Sequence, residues 1–278
     1  MKKAVHVGGF FFYLCIMKEL LVRSISGAVL VAVIIACILL SPWSCWALAL
    51  FIVAVGTFEM SRLMHIENRW QLAFGELMSV ASFAFVSLGM LNVRPLSGLV
   101  LLLPLIPFLF ALFSTTTDFK SIAAFNFGSV ALLSVPCTLM LWIREMYNPK
   151  MLLLVFVLLW VNDTFAYLTG RLLGKHKLFE RISPGKTIEG SIGGLMFTLA
   201  GIIIFSHHAD WLSLKAAIGM GLIAVVFGTL GDLCESMLKR QAGVKDSGKL
   251  IPGHGGILDR FDSVLFTIPF VFVYLLLV

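Results

Sequence analysis

The chain has 278 residues, of which 59% are hydrophobic and only 13% are charged. Soluble domains carry about 25% charged residues, so this composition excludes an ordinary soluble protein and indicates a polytopic membrane protein. The formal net charge of +6 does not predict nucleic-acid binding. The basic residues lie in short loops between apolar runs, a placement that suits membrane orientation and anionic headgroups or phosphates.

The first 16 residues differ from the rest of the chain. Lys2 and Lys3 precede a short apolar run, residues 10–16, but no clean cleavage site of a signal peptide follows. We expect residues 1–16 to be an N-terminal extension or a mis-called start, with Met17 as the true initiator. An amphipathic interfacial segment is the alternative. Residues 17–278 are expected to form a single integral-membrane domain.

Nine apolar runs of spanning length predict an all-α protein with about nine transmembrane helices. If odd-numbered spans enter from the inside, 17 of the 21 Lys and Arg residues fall in inside segments. This bias predicts an N-inside, C-outside topology in the cytoplasmic membrane, with both large polar loops facing the cytoplasm. The runs cover residues 24–41, 43–61, 72–91, 96–113, 122–143, 151–170, 188–206, 213–232 and 262–278.

Glu59 and Arg62 close the second predicted span, three residues apart. Side chains at this spacing are neighbours on a helix, so we interpret the two as an interfacial ion pair. A minor role for Glu59 in a functional site stays open.

A first polar stretch covers residues 160–194. Asn162 and Asp163 lie towards the middle of a predicted span, where a carboxylate needs a partner or a water-filled cavity. The loop that follows contains SPGKTIE at 183–189. It is not a nucleotide-binding P-loop, because that motif requires Gly where Glu180 stands. An interfacial loop in which Ser183 or Thr187 caps the next helix is the alternative to a phosphate-binding role.

A second polar stretch, residues 231–262, is the longest strongly polar run in the chain. Its first half places five polar residues at i, i+3, i+4, i+7 and i+8, which predicts that they share one face of a helix. Acids followed by bases on such a face suit a metal ion and the phosphates it chelates, and a solvated helix end is the alternative. The five residues are Asp232, Glu235, Ser236, Lys239 and Arg240.

The second half of this stretch reads as a loop. Gly243 is expected to end the helix, and the run PGHGG at 252–256 lets the backbone approach a ligand closely. Asp232 and Asp259 stand at the two ends of the excursion and are predicted to approach one another. Oxygen ligands of this kind suit Mg²⁺, which usually retains waters and substrate phosphate oxygens.

Residues 236–262 resemble the signature of the phosphatidate cytidylyltransferases, also called CDP-diglyceride synthetases. The matching segments are SMLKR at 236–240, KD at 245–246, GHGG at 253–256 and LDRFD at 258–262, and all polar positions are filled at the expected spacing. NDTFAY at 162–167 and SPGKTIEG at 183–190 are similar to other motifs of the same family. The resemblance covers residues 17–278.

This resemblance implies an enzyme that transfers a cytidylyl group from CTP to phosphatidate in the bilayer and releases pyrophosphate. It implies Mg²⁺ held by Asp232 and Asp259, with a second cation as an open variant, and a homodimer is typical of the family. The expected catalytic residues are Asp232, Lys239, Arg240, Lys245, Asp246, Asp259 and Arg260. The expected substrate-binding residues are Asn162, Asp163, Ser183, Lys186, Thr187, Glu189, Ser236, His254, Gly255, Gly256 and Asp262.

Two other functional classes share some of these sequence features. A CDP-alcohol phosphotransferase would carry a different acidic motif, which the sequence lacks, whereas a cytidylyltransferase of archaeal lipids is harder to separate. A transporter would use the buried Asp163 and the basic loops, but transporters often contain inverted repeats, and none is visible in this sequence.

Overall fold

The computed structural model describes residues 2–89 and 119–278. This part of the chain is almost entirely helical, which confirms the predicted all-α polytopic fold. A π-helical turn, Val130–Ser134, joins α4 to α5. The helices are α1 (Lys2–Leu40), α2 (Pro42–Leu63), α3 (Arg69–Gly89), α4 (Phe119–Ser129), α5 (Val135–Met146), α6 (Pro149–Leu173), α7 (Ile188–Ser206), α8 (Leu214–Gln241) and α9 (Leu258–Leu277).

Seven helical segments in the described ranges are long and apolar enough to cross a membrane, and each coincides with a predicted run. The predicted run at 72–91 corresponds to α3, and the run at 96–113 lies outside the described residues. The count of nine, the orientation, and the assignment of residues 1–16 as an extension therefore stay predictions. The seven segments are Leu20–Leu40, Pro42–Leu63, Ala123–Met146, Pro149–Leu173, Ile188–Ser206, Leu214–Gln241 and Leu258–Leu277.

Polar caps set the starts of four helices. Ser41, Asn148, Thr187 and Ser213 each have an extended backbone and accept a hydrogen bond from a backbone N–H three residues ahead. A proline follows the first two caps, at a position where its missing N–H costs nothing. The cap at Thr187 bears out the capping alternative for the loop before α7.

A short hairpin is the one departure from helical structure between α6 and α7. Strand β1 (Lys177–Phe179) pairs antiparallel with β2 (Ser183–Thr187). The sequence predicted no strand here, because two strands of three and five residues carry too few positions for an alternating pattern to be visible.

Glycines bring the functional ends of the helices together. A Cβ atom at Gly194 of α7 would stand 2.5 Å from Asn162 Oδ1, so α7 packs directly against the polar segment of α6. A Cβ at Gly231 of α8 would stand 2.8 Å from the carbonyl oxygen of Asp262 on α9. Such close approaches between membrane helices require small residues. They place Asp163, which follows Asn162, and Asp232, which follows Gly231, at one end of the helix bundle.

Candidate active site

A cavity with a volume of about 480 Å³ opens where α1, α6, α8 and α9 meet. One wall is apolar and is formed by residues of α1 and α6. The other wall is strongly charged and comes from both polar stretches of the sequence. Its charged or hydroxyl-bearing members are Asp163, Asp232, Ser236, Lys239, Arg240, Lys245, Asp246, His254, Asp259, Arg260, Asp262 and Ser263.

Three carboxylates from three helices converge on this cavity. Asp163 comes from α6, Asp232 from α8 and Asp262 from α9, and each lines the wall. Asp232 lies close enough to both of the others for their charges to repel, and the charges of Lys186 and Arg260 act on Asp163 in the opposite sense. A group of acids held together in this way favours binding of cations.

Lys239 is the most enclosed base of the site, with 12% of its side chain exposed. Its ammonium group pairs with Glu235 one turn earlier on α8 and, at 2.6 Å, with Asp259 Oδ1 of α9. A buried ammonium group needs such compensation, because desolvating a lone charge is costly. The ion pairs therefore tie the end of α8 to the start of α9.

Asp259 is saturated with hydrogen-bond donors. Its Oδ2 accepts from the backbone N–H groups of Ser247 and Gly256, each at 2.8 Å, and lies 3.0 Å from the Ser247 hydroxyl, while Oδ1 pairs with Lys239. Only 4% of the side chain is exposed. The carboxylate therefore holds the loop between α8 and α9 in its observed conformation.

Two glycines in that loop have backbone angles that other residues rarely adopt. Gly253 has φ +74° and Gly255 has φ +83°. A Cβ at Gly255 would also stand 2.5 Å from Asp259 Oδ2, so the close approach itself excludes a side chain. This confirms that the run PGHGG is a loop, and Gly243, with φ +70°, follows the end of α8 as expected.

His254 connects the loop to α1. Its Nδ1 lies 2.8 Å from the hydroxyl oxygen of Ser26, which lies 2.9 Å from the carbonyl oxygen of Pro252. Partial burial, together with the positive charges of Arg260 and Arg23, lowers the pKa of His254 below its ordinary value of 6.5. The ring is therefore neutral at pH 7.

The hairpin between α6 and α7 delivers a lysine to the acidic cluster. Lys186 Nζ on β2 lies 2.6 Å from Asp232 Oδ2, and both side chains are partly exposed. Glu189, at the start of α7, accepts hydrogen bonds from the backbone N–H groups of Lys175 and His176 and contacts the His176 ring. Glu189 thus fastens the base of the hairpin.

The interpretation of Glu59 and Arg62 as an ion pair is wrong. The guanidinium carbon of Arg62 lies over the Phe58 ring, 4.3 Å from its centroid. Glu59 is 3% exposed and accepts hydrogen bonds from the Ser247 hydroxyl and from the backbone N–H groups of Ile257 and Leu258 at the start of α9. Spacing along one helix suggested a partner on that helix, but the actual partners lie nearly 200 residues away in the sequence.

The structure brings most of the predicted site residues into one cavity. Eleven of them line it: Asp163, Asp232, Ser236, Lys239, Arg240, Lys245, Asp246, His254, Asp259, Arg260 and Asp262. The other seven, Asn162, Ser183, Lys186, Thr187, Glu189, Gly255 and Gly256, are not part of its wall. Among these, Lys186 still bonds to Asp232, Thr187 caps α7, and Asn162 is packed against Gly194. The catalytic and binding roles of both groups stay predictions.

The list of predicted site residues omitted four that shape the cavity. Glu235 pairs with Lys239 one turn further along α8, a spacing visible in the polar stretch, whereas the contact of Ser247 with Glu59 lies across the fold and was not. Ser26 and Glu59 lie on α1 and α2, far from either stretch in sequence. The one available signal was Glu59 itself, an acid that closes an apolar run.

Magnesium suits the donors of this cavity in part. No three His, Cys, Asp or Glu side chains within the described ranges are arranged to hold a metal ion by themselves. Mg²⁺ usually needs only one or two carboxylates, with waters and phosphate oxygens completing its shell. Asp232, 34% exposed with a single lysine partner, fits that requirement, whereas the oxygens of Asp259 are already occupied.

The fold and cavity define a polytopic membrane protein with a pocket of clustered acids and bases at one end of its helices. A model of the cytidylyltransferase family matches residues 21–278. The chain therefore belongs to the cytidylyltransferase family, which confirms the resemblance noted in its polar motifs.

Curated relatives carry a more specific description. Phosphatidate cytidylyltransferase of Staphylococcus aureus (strain COL) is 49% identical over 126 residues, which cover 45% of this chain and 48% of that protein. The enzyme of the same name from Staphylococcus haemolyticus is 50% identical over a stretch of equal length and coverage. The chain spans about half the length of the curated relatives it matches.

Proposed function

We propose that this protein transfers a cytidylyl group from CTP to phosphatidate and forms CDP-diacylglycerol and pyrophosphate. The observation that carries the proposal is the cavity of clustered acids and bases at the ends of membrane helices, in a member of the cytidylyltransferase family. The names of the relatives suggest the substrate, phosphatidate.

The two walls of the cavity suit the two halves of a phospholipid. Leu30, Val31 and Ile34 of α1 form an apolar side, while the charged residues face them from α8 and α9. A lipid phosphate can reach the charged side while its acyl chains remain in apolar surroundings. A soluble nucleotide would enter from the loop end of the helices.

The reaction is an in-line displacement at phosphorus. An oxygen of the phosphatidate phosphate attacks the α-phosphorus of CTP, a new P–O bond forms, and the bond to the β-phosphate breaks as pyrophosphate leaves. The lipid phosphate is already anionic near pH 7, so no strong base is needed. The task of the protein is alignment and neutralisation of negative charge.

Exposed bases on the charged wall are suited to bind phosphate oxygens. Arg240, Lys245 and Arg260 line the cavity, and within the described ranges no ion pair holds them as Glu235 and Asp259 hold Lys239. We assign them to the triphosphate and the lipid phosphate, and we assign Lys186 to the same negative charge from the hairpin side. Lys239 is held by two acids, so its part is to keep α8 and α9 in register.

Asp232 is the best-placed residue to hold Mg²⁺, together with a second carboxylate from the cluster. The predicted partner, Asp259, would first have to release Lys239, while Asp163 and Asp262 already lie near Asp232. When bound, the ion would neutralise phosphate charge and help the pyrophosphate leave. A second cation is compatible with the number of acids in the cavity.

We also propose that the cavity faces the cytoplasm. The support is the distribution of Lys and Arg, which are concentrated in the segments at the cavity end of the helices, in keeping with the positive-inside rule. Cytoplasmic CTP would then have direct access to the loop between α8 and α9.

The test measures transfer of label into lipid. Purified protein in detergent–lipid micelles is incubated with phosphatidate, Mg²⁺ and CTP labelled at the α-phosphate, and label is followed into the lipid phase. We expect lipid labelling that depends on both phosphatidate and Mg²⁺. CTP labelled at the γ-phosphate is the control, because its label must leave with pyrophosphate.

A matched pair of variants then ties the activity to the cavity. Asp232→Asn removes a charge from the cavity wall, and Asp210→Asn makes the same change at an exposed position distant from it. If Asp232→Asn loses lipid labelling and Asp210→Asn keeps it, the result supports the cavity as the active site. If folded wild-type protein transfers no label to phosphatidate, the substrate assignment is wrong.

A further inference from the structure

Glu59 is a buried acid that does not line the cavity. It lies near the C-terminal end of α2 and is 3% exposed. A carboxylate in such a place is expensive unless several donors surround it. Its contacts therefore indicate what it is there to hold.

The donors come from both sides of the loop that joins α8 to α9. Oε1 accepts from the backbone N–H of Ile257, and Oε2 accepts from the backbone N–H of Leu258, each at 2.9 Å. The hydroxyl of Ser247 lies 2.8 Å from Oε2. Ile257 and Leu258 form the start of α9, where free N–H groups and the helix dipole favour a negative charge.

Ser247 links this buried acid to the charged wall. Its hydroxyl lies within hydrogen-bonding distance of both Glu59 Oε2 and Asp259 Oδ2, and it has one proton to donate. Its backbone N–H donates to Asp259 as well. The two carboxylates therefore hold one serine between them, and Asp259 in turn holds Lys239.

Two glycines allow this arrangement. A Cβ at Gly256 would overlap both carboxylate oxygens of Glu59 and the Ser247 hydroxyl, and one at Gly248 would overlap Glu59 Oε1. The loop is thus packed onto Glu59 at backbone distance on two sides. A Gln at position 59 would keep one acceptor oxygen but turn its N–H₂ towards the other donor, so one buried backbone N–H would lose its acceptor.

We propose that Glu59 is a positioning residue for the candidate active site: it holds Ser247 and the start of α9 so that Asp259 and Lys239 stand in register at the cavity. The proposal rests on the proposed function for its activity readout, but the structural part can be tested without it. Glu59 acts through Ser247 and Asp259, since it does not touch the cavity itself.

The experiment uses the full chain with Glu59→Gln, and with Glu67→Gln as the matched control. Glu67 is exposed and follows α2, so the control makes the same chemical change outside the network. In Glu59→Gln one amide N–H₂ must face a backbone N–H donor. Two readouts are taken, namely transfer of label from CTP to phosphatidate and amide hydrogen exchange along the chain.

We expect Glu59→Gln to lower kcat by about tenfold or more, because a buried donor is left unpaired beside the site. Hydrogen exchange is expected to rise in residues 244–258 and at the start of α9, and to stay unchanged in α6 and α7. Glu67→Gln should match the wild type in both readouts. Glu59→Asp keeps the charge with a shorter reach and should recover part of the lost rate.

A second variant tests the route through Ser247. If Glu59 acts on Asp259 through that hydroxyl, Ser247→Ala and Glu59→Gln should not lower the rate additively when combined. Full additivity would mean that Glu59 and Ser247 act separately, and it would overturn the proposed route.

Three outcomes would contradict the positioning role of Glu59 or the proposed function. Unchanged transfer in Glu59→Gln overturns the proposal, and so does exchange that rises throughout the helices, since that indicates a general loss of the fold. If the wild type transfers no label, the proposed function fails, and the exchange pattern alone then decides. Exchange confined to the loop and the start of α9 would still support a positioning role, and unchanged exchange would exclude it.

Discussion

Two aspartates of the cavity, Asp259 and Asp232, each pair with a lysine at 2.6 Å, yet their surroundings differ. Asp259 is 4% exposed, lies at the start of a helix and is within hydrogen-bonding distance of four donor groups, one of which, the Ser247 hydroxyl, it shares with Glu59. Asp232 is 34% exposed and has, besides its lysine, one weak contact with the Ser236 hydroxyl at 3.2 Å.

This difference distinguishes a carboxylate that supports the fold from one that is available to bind a ligand. A carboxylate with all its acceptor positions filled, such as Asp259, is difficult to recruit for a new ligand, because every donor that it releases is left unpaired in a buried place. Asp232 can exchange one partly exposed lysine for a cation or a phosphate-bound metal at little cost. Motif position alone does not reveal this distinction, since both residues occur in the same polar stretch.

The largest effect is expected from Asp259→Asn. The change weakens the ion pair of the buried Lys239 and the bonds of Asp259 to Ser247 and Gly256, so we expect the protein to lose about 3 kcal/mol of stability. Label transfer should fall by more than about a hundredfold. Thermal unfolding in detergent and the transfer assay measure the two effects.

Asp210→Asn is the control for Asp259→Asn, because Asp210 is exposed and lies outside the cavity. If Asp259→Asn kept normal stability while losing activity, Asp259 would be a ligand-binding carboxylate like Asp232, and the proposed difference between the two would be wrong.

Asp232→Asn should reduce label transfer by about a hundredfold while changing stability by less than about 1 kcal/mol. Its ion pair with Lys186 is partly exposed, so the fold depends little on it. The dependence of the rate on Mg²⁺ concentration gives a second measure, and we expect it to shift to higher concentration. Unaltered Mg²⁺ dependence in an active variant would exclude Asp232 as a metal-binding residue.

Lys186 tests the open side of the cavity with a smaller change. Lys186→Gln removes the base that faces Asp232, and we expect kcat/KM for CTP to fall by about tenfold, because one phosphate contact is lost. Lys177→Gln is the control, since Lys177 lies on the same hairpin but donates to the Pro184 carbonyl oxygen instead. Equal effects of the two variants would indicate that the hairpin contributes general positive charge only.

Local sequence patterns predicted the helices and the polar loops well. Apolar runs of spanning length coincide with seven helices, and Gly243 ends α8 because its φ of +70° is unsuited to other residues. The cap at Thr187 follows from the same local rules. These features depend on neighbours in sequence, and periodicity therefore captures them.

Partners across the fold could not be predicted from the sequence. The site residues that were missed or misread, Glu59 above all, owe their environment to residues that approach only after the helices pack. Asp259 had the spacing of a metal ligand, but its four donors come from the loop and from α8. Whether a carboxylate is saturated or available is thus a tertiary property.

The smallest expected effect concerns His254, which binds the loop to α1. Its pKa is lowered by partial burial and by nearby arginines, so the folded protein favours the neutral ring. The stability that this contact contributes is fully present when the pH is above the ordinary histidine pKa of about 6.5. It is lost as the pH falls, because the unfolded chain then binds a proton at His254 more readily than the folded chain does. His254→Asn removes the titration.

The difference in melting temperature between wild type and His254→Asn should therefore shrink as the pH is lowered from 7.5 to below 6, by at most about 2 °C for a partly exposed ring. The control is His65→Asn, an exposed position whose φ of +54° asparagine tolerates. A difference that grew at low pH would mean that the contact with Ser26 stabilises the protonated ring. The loop would then be held by charge, as Asp259 is, and not by a neutral hydrogen bond.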